Sequence, residues 1–264
     1  MLEMEVKDIM RITLAQTDLS WEDPAKNRLD IGIKITQLAG QSDLVILPET
    51  FTTGFSMRAC DLAEPMDGAT VNWMLDLSQK NGIALAGSLL IKTNDLYYNR
   101  FVFVTPGGEV SFYDKRHLFS IGGESISFTA GNQRLIVNFL GWRVAFYICY
   151  DIRFPVWCRN LNDTDLMIFT ANWPASRSEV WKILLKARAI ENQVYVAGVN
   201  RIGKDGNDIE YAGESQIVNP RGEVLSEVDK TDNGWLSYEI SMKEQNEFRA
   251  KFPVADDADR FSIF

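Results

Sequence analysis

The chain has 264 residues, of which 46% are hydrophobic and 24% charged, and its formal net charge is −9. That balance gives ample material for a globular core. An acidic chain lacks the cationic footprint that nucleic acid or an anionic membrane surface demands, and no apolar run approaches the roughly 18 residues of a membrane span.

Arg11 to Thr17 alternates and predicts a first strand. Asp23-Pro24 supplies a helix N-cap with proline at the first helical position, so a helix is expected to about Ala39, ended by Gly40. Asp43 to Leu47 is a short apolar strand that runs into Pro48-Glu49-Thr50 and a loop through Thr53-Gly54. A helix from about Ala69 to Lys80, stopped by Asn81-Gly82, leads to a strand from Ile83 to Ile91. This alternation is that of a parallel or mixed sheet covered by helices. Tyr97 to Val104 and Val110 to Tyr113 make a hairpin, after which Asp114-Lys115-Arg116-His117 leads into a glycine-rich loop holding Glu124.

Arg134 to Asn138 pairs with the apolar run that begins at Arg143 and stops at Cys149. Asp151 is then expected to cap a new helix, with Pro155 in or near its first turn. Asp165 to Ala171 is a strand ending at Asn172-Trp173-Pro174, Ser176 to Glu191 a helix, and Val194 to Val199 a strand. Ser215 to Val218 pairs with Val224 to Val228; Gly234 to Ile240 is the last strand, and a charged helix from Ser241 to Lys251 precedes an acidic tail.

A weak internal repeat runs through this order. Val104, Pro106, Gly108, Glu109 and Val110 recur at the same spacing as Val218, Pro220, Gly222, Glu223 and Val224. Turn chemistry alone can produce such a match, but each copy closes a block of strands and helices. Two similar halves in one α/β domain, their sheets face to face, are expected over residues 1–264.

The start, from Met1 to Asp8, lacks the basic end and apolar core of a secretory signal. Cys60, Cys149 and Cys158 form neither a disulfide framework nor a zinc-type pair, which points to a reducing cytoplasm and no metal site.

Three strand ends carry unusual polar residues: Glu49, Lys115 and Cys149. A thiol between a buried strand and a helix N-terminus sits where α/β proteins keep reactive groups, and nearby N–H groups are expected to lower its pKa and to hold an oxyanion. A carboxylate after an apolar strand loses hydration and can serve as a base. Each has a plainer reading: a buried cysteine acting as a small hydrophobe, a glutamate in a loop salt bridge, a lysine in a solvated turn. His117, the chain's one histidine, is the rival base for a Cys–His dyad.

Leu47-Pro48-Glu49, Tyr113-Asp114-Lys115-Arg116-His117-Leu118 and Tyr147-Ile-Cys149-Tyr150-Asp151-Ile-Arg153-Phe-Pro155 resemble the three signatures of the nitrilase superfamily, the carbon–nitrogen hydrolases. The similarity continues through Thr170 to Pro174, Arg188 to Asn192 and the final strands, and is nearest to the omega-amidase branch. The resemblance implies a four-layer αββα sandwich of two face-to-face mixed sheets. It assigns Glu49 as general base, Cys149 as nucleophile, Lys115 with the Tyr150 N–H as oxyanion donors, and Glu124 as a second glutamate. It requires no cofactor and leaves His117 a loop residue, with Cys60 and Cys158 in packing.

The substrate the branch implies is a small anionic amide such as 2-oxoglutaramate. Its far carboxylate needs a local cation in an acidic protein. Arg177 is the first candidate and Arg153 the second, although Arg153 is expected to hold its loop through a salt bridge; Trp173, Phe55 and Phe119 are candidate pocket walls. The motifs do not separate amide from nitrile hydrolysis or from acyl transfer, and a catalytically silent scaffold is the reading from another class. Family members generally associate, which implies a homodimer or larger assembly here through Phe154 to Arg159 and the segment from Phe248 to Phe264.

Overall fold

The computed structural model describes residues 7–227, 234–259 and 261–263. The start up to Val6, Val228 and Phe264, all named above, lie outside the described residues.

Two six-stranded sheets carry the fold. The first takes β1 (Ile9–Ala15), β2 (Leu44–Ile46), β3 (Ala84–Thr93), β4 (Leu96–Val104) and β5 (Val110–Asp114). The second takes β6 (Ile136–Phe139), β7 (Trp142–Ile148), β8 (Leu166–Ala171) and β9 (Tyr195–Asn200). A separate hairpin, β10 (Ile202–Lys204) with β11 (Glu210–Ala212), precedes β12 (Gln216–Val218) and β13 (Val224–Glu227), which complete the second sheet. The last strand, β14 (Trp235–Ser241), returns to the first sheet, antiparallel to β1.

The two sheets repeat one plan. β1, β2 and β3 are parallel, with β14 antiparallel on one side and β4–β5 on the other. β7, β8 and β9 are likewise parallel, with β6 on one side and β12–β13 on the other. The repeated Val-Pro-Gly-Glu-Val positions fall in equivalent hairpins, β4–β5 and β12–β13.

Side-chain alternation builds the layers. Ile12, Leu14, Leu44, Ile46, Phe101 and Phe103 join Val144, Phe146 and Ile168 in one buried cluster between the sheets. Phe146 lies with its ring centroid 4.9 Å from Phe101 and 5.2 Å from Phe103, so the sheets meet through aromatic contact. Each such fully buried ring contributes about 1.5–3 kcal/mol. The opposite face of the first sheet, with Val45 and Leu85, packs on α1 (Pro24–Gln37) and, after the one-turn helix α2 (Ala59–Leu62), on α3 (Ala69–Asn81).

Asp23 caps α1 by accepting from the Lys26 N–H at 3.0 Å, and Gly82, at φ 68°, ends α3. A second one-turn helix, α4 (Glu124–Ser127), precedes the long α5 (Ser178–Asn192), which covers the second sheet. There Gly198 gives close approach, because a side chain at that position would collide with Leu185. Helix α6 (Met242–Lys251) follows β14, capped by Ser241. No helix among the described residues is long and apolar enough to cross a membrane.

The expected helix after Cys149 does not form. Residues Cys149–Arg153 make a single 3₁₀ turn, followed by further turns through Cys158. The reason is where the Asp151 carboxylate goes: fully buried, it accepts from Ile148 N at 3.0 Å but also from the Tyr113 hydroxyl at 2.7 Å and His117 N at 2.9 Å. It staples two loops together instead of capping a helix of its own.

Candidate active site

The buried strands β2, β7 and β8, and the more exposed β5, each lead at their carboxyl ends into a polar residue of the site. Glu49 lies just past β2, Lys115 after β5, Cys149 after β7 and Asn172 after β8. Glu49, Lys115 and Glu124 are essentially without solvent exposure. The Lys115 ammonium donates to Glu49 Oε1 at 2.8 Å and to both oxygens of Glu124 at 3.0 and 2.9 Å. Asn99 Nδ2 bridges the same carboxylates, at 2.8 Å to Glu49 and 3.0 Å to Glu124. The second Glu49 oxygen accepts from Asn172 N at 2.8 Å, and the Phe119 N–H donates to Glu124 at 2.6 Å. Isolated buried ions cost several kcal/mol each, so only this close pairing makes the cluster tolerable.

Cys149 is partly exposed, and its Sγ lies 4.0 Å from the Asn172 carbonyl. Its backbone sits in the left-handed region at φ 44°, as does Thr50 beside Glu49, also at φ 44°. Such non-glycine residues cost about 1–3 kcal/mol of strain each, a cost that clusters at active sites.

Electrostatics runs against one expectation. Burial first, then the nearby Glu49 carboxylate, pushes the Cys149 thiol well above its ordinary value, and Lys115 only partly opposes them. Among the described residues only a single 3₁₀ turn starts there, and no α-helix N-terminus adjoins the sulfur to lower it. The resting group is a thiol, so a base must act at the moment of attack. Burial also raises Glu124, with help from Glu49 and opposition from Lys115. For Lys115, burial works downward, but the charges of Glu124 and Glu49 outweigh it and keep the amine protonated.

A cavity of about 190 Å³ opens onto these groups. Phe55, Phe119, Tyr150 and Trp173 all line it, with Arg153 and Arg177 exposed at its rim. The Arg177 guanidinium lies 5.5 Å from the Phe119 ring centroid and that of Arg153 lies 5.0 Å from Trp173. The salt bridge expected of Arg153 is not formed with any described residue; the side chain stacks on an indole instead.

His117 is elsewhere. Its Nδ1 lies 2.8 Å from Asp151 and its ring stacks on Phe154 at 3.7 Å, away from the cavity lining. Cys158 is buried in packing as expected, whereas Cys60 is exposed on the one-turn helix α2.

Sequence reasoning assigned no role to four residues that shape the site. Asn99 and Asn172 hold the Glu49 carboxylate, and Asp205 and Tyr211 line the cavity from the β10–β11 hairpin. Asn172 could have been found from its place at a strand end beside the Cys149 strand. The Asp205-Gly206 dipeptide is a turn signal that went unused.

Known proteins resemble this chain over nearly its whole length. The family model for carbon–nitrogen hydrolases matches residues 11–250. Omega-amidase YafV of Escherichia coli strain K12 is 46% identical over 255 residues, covering 97% of this chain and 99% of its own. The 2-oxoglutaramate amidase of Bacillus subtilis is 34% identical over 251 residues, covering 93% and 96% respectively. A crystal structure from Xanthomonas campestris, of a CN-hydrolase superfamily protein with an arsenic adduct in its active site, superposes with a TM-score of 0.95. It is 45% identical and covers 98% of this chain and all of its own.

Proposed function

The chain belongs to the carbon–nitrogen hydrolase family, and on that premise we propose that it is a thiol-dependent omega-amidase. Its substrates are small anionic ω-amides such as 2-oxoglutaramate, the compound named in the Bacillus subtilis relative, and its products are the acid and ammonia. The observation that carries this reading is the dry Glu49–Lys115–Glu124 cluster beside a strained, partly exposed thiol.

In this reading Glu49 takes the Cys149 proton as sulfur attacks the amide carbon, since a thiol held up by desolvation and a neighbouring carboxylate does not ionise unaided. Lys115 and the Tyr150 N–H hold the oxyanion; one such donor is typically worth about 3 kcal/mol. The intermediate collapses, the C–N bond breaks, and the proton held on Glu49 leaves with ammonia. Water, deprotonated by Glu49, then cleaves the thioester and returns the proton to sulfur. Glu124 fixes the Lys115 ammonium. No cofactor is needed. Two cations at the cavity rim, neither in an ion pair with a described residue, suit a distal carboxylate, with Arg177 as the principal contact.

We also read residues 1–264 as one catalytic domain, housed in the reducing cytoplasm, where an unpaired thiol persists. The domain associates as a homodimer. Val156 and Phe252 are 57% and 61% exposed, and they fall in the two segments expected to pair. Ammonia release measured across 2-oxoglutaramate, glutamine, simple aliphatic amides and nitriles tests the substrate class. A nitrile turned over faster than any amide would replace the amidase reading with a nitrilase one.

A further inference from the structure

The hairpin β10–β11 places a carboxylate in the wall of a cavity otherwise suited to an anionic substrate. Asp205 and Tyr211 both line it, and both are at least nine-tenths buried. The carboxylate is saturated from within. Its Oδ1 accepts from the Asn207 and Ile209 N–H groups at 2.8 and 3.0 Å, and its Oδ2 accepts the Tyr211 hydroxyl at 2.8 Å. Three donors thus hold the carboxylate, all of them from its own hairpin. Its effect is on Tyr211, whose single phenolic proton it holds, so that the phenol oxygen has only lone pairs left to offer.

That oxygen is firmly placed. The Tyr211 ring lies 4.9 Å from the guanidinium of the fully buried Arg201. The backbone of Tyr211 bridges to Pro174, two residues beyond Asn172, whose carbonyl is the one 4.0 Å from the Cys149 sulfur. A side chain at Gly206 would collide with Trp21, so the turn is seated tightly against the first half of the chain.

A primary carboxamide carries two N–H donors into this site. One can face the Glu49 carboxylate; the other needs an acceptor, because a buried donor left unpaired loses its full hydration. We propose that the Tyr211 hydroxyl oxygen, fixed as a pure acceptor by Asp205, takes that second N–H and makes the site selective for primary amides over esters of the same acid. The proposal rests on the amidase reading above and concerns the same cavity.

The test compares 2-oxoglutaramate with the methyl ester of the same 2-oxo acid, which has no N–H but forms the same thioester. The measured quantity is kcat/KM, which reports the acylation step in which the amide nitrogen departs. Tyr211→Phe keeps the ring on Arg201 and removes only the oxygen. It is expected to lower the amide value about 10-fold and leave the ester within about two-fold, collapsing the ratio between them. Asp205→Asn turns an amide donor toward Tyr211, frees the phenolic proton, and is expected to shift the ratio the same way. Equal losses on amide and ester in Tyr211→Phe would overturn the proposal and make Tyr211 a wall residue, while leaving the amidase reading intact. A wild-type enzyme that releases neither ammonia nor methanol would overturn both.

Discussion

Replacing Lys115 by methionine removes the ammonium shared by Glu49 and Glu124 and leaves two buried carboxylates side by side. Three contacts of 2.8 to 3.0 Å disappear with it. Glu49 keeps the Asn172 N–H and Glu124 keeps that of Phe119, while Asn99 still bridges them, so neither is bare. Breaking a buried ion pair costs about 3–5 kcal/mol, and these surviving donors put the expected loss near 3 kcal/mol at neutral pH. Burial and Glu49 already raise Glu124 in the intact protein, and loss of the cation raises it further. A carboxyl whose folded pKa exceeds its unfolded one stabilises the fold below the unfolded pKa and loses that contribution as pH climbs through the folded one. The deficit of the variant should therefore be small near about pH 4 and grow toward neutrality. Urea midpoints at the two pH values, for wild type, Lys115→Met and Lys115→Met/Glu124→Gln, measure it. The double variant should regain at least about 1 kcal/mol of stability at neutral pH without regaining turnover. A deficit that does not change with pH, or no rescue by Glu124→Gln, would refute a buried charged cluster.

Cys149→Ala should abolish hydrolysis, and loss of activity with iodoacetamide should track modification of Cys149 by mass spectrometry; inactivation that followed the exposed Cys60 instead would move the nucleophile. Glu49→Gln should lose roughly 10²- to 10⁴-fold in turnover, whereas His117→Asn keeps most of it; the reverse pattern would establish a Cys–His mechanism. Arg177→Met should lower kcat/KM for 2-oxoglutaramate about 10- to 100-fold, chiefly through KM, and spare hexanamide, as a charge-assisted contact requires; equal losses would point to Arg153. Light scattering at micromolar concentration should return a dimer mass or larger, and a monomer would contradict the proposed association.

The residues legible in the sequence were those at which an apolar run breaks. Glu49 and Cys149 each follow a strand whose composition predicts burial, and a strand end inherits that burial, whereas Lys115 follows the half-exposed β5 and was legible through its motif. The two-sheet plan could be read because turn chemistry repeats at the β4–β5 and β12–β13 hairpins. Asp151 was misread because its spacing suits a cap equally well whether or not donors arrive from Tyr113 and His117, which are 38 and 34 positions away. The direction of the Cys149 shift was missed for a related reason: desolvation depends on what other segments bring to the site. The β10–β11 hairpin escaped notice because its strands are three residues each, too short for a period to show.

The bonds from Asn172 to Glu49 connect residues 123 positions apart and link strand ends in different sheets. Neither sheet alone holds thiol and base together. During refolding, turnover thus reports the docking of the sheets and not their formation: circular dichroism should recover with the strands, and ammonia release only once the halves meet. Before that moment Cys149 is an ordinary exposed thiol, open to alkylation and oxidation. Afterwards desolvation and the Glu49 charge hold the resting sulfur in the thiol form, and only the side that lines the cavity stays open. Completing the fold therefore narrows access to that sulfur from every side to one cavity, through which a small reagent still reaches it.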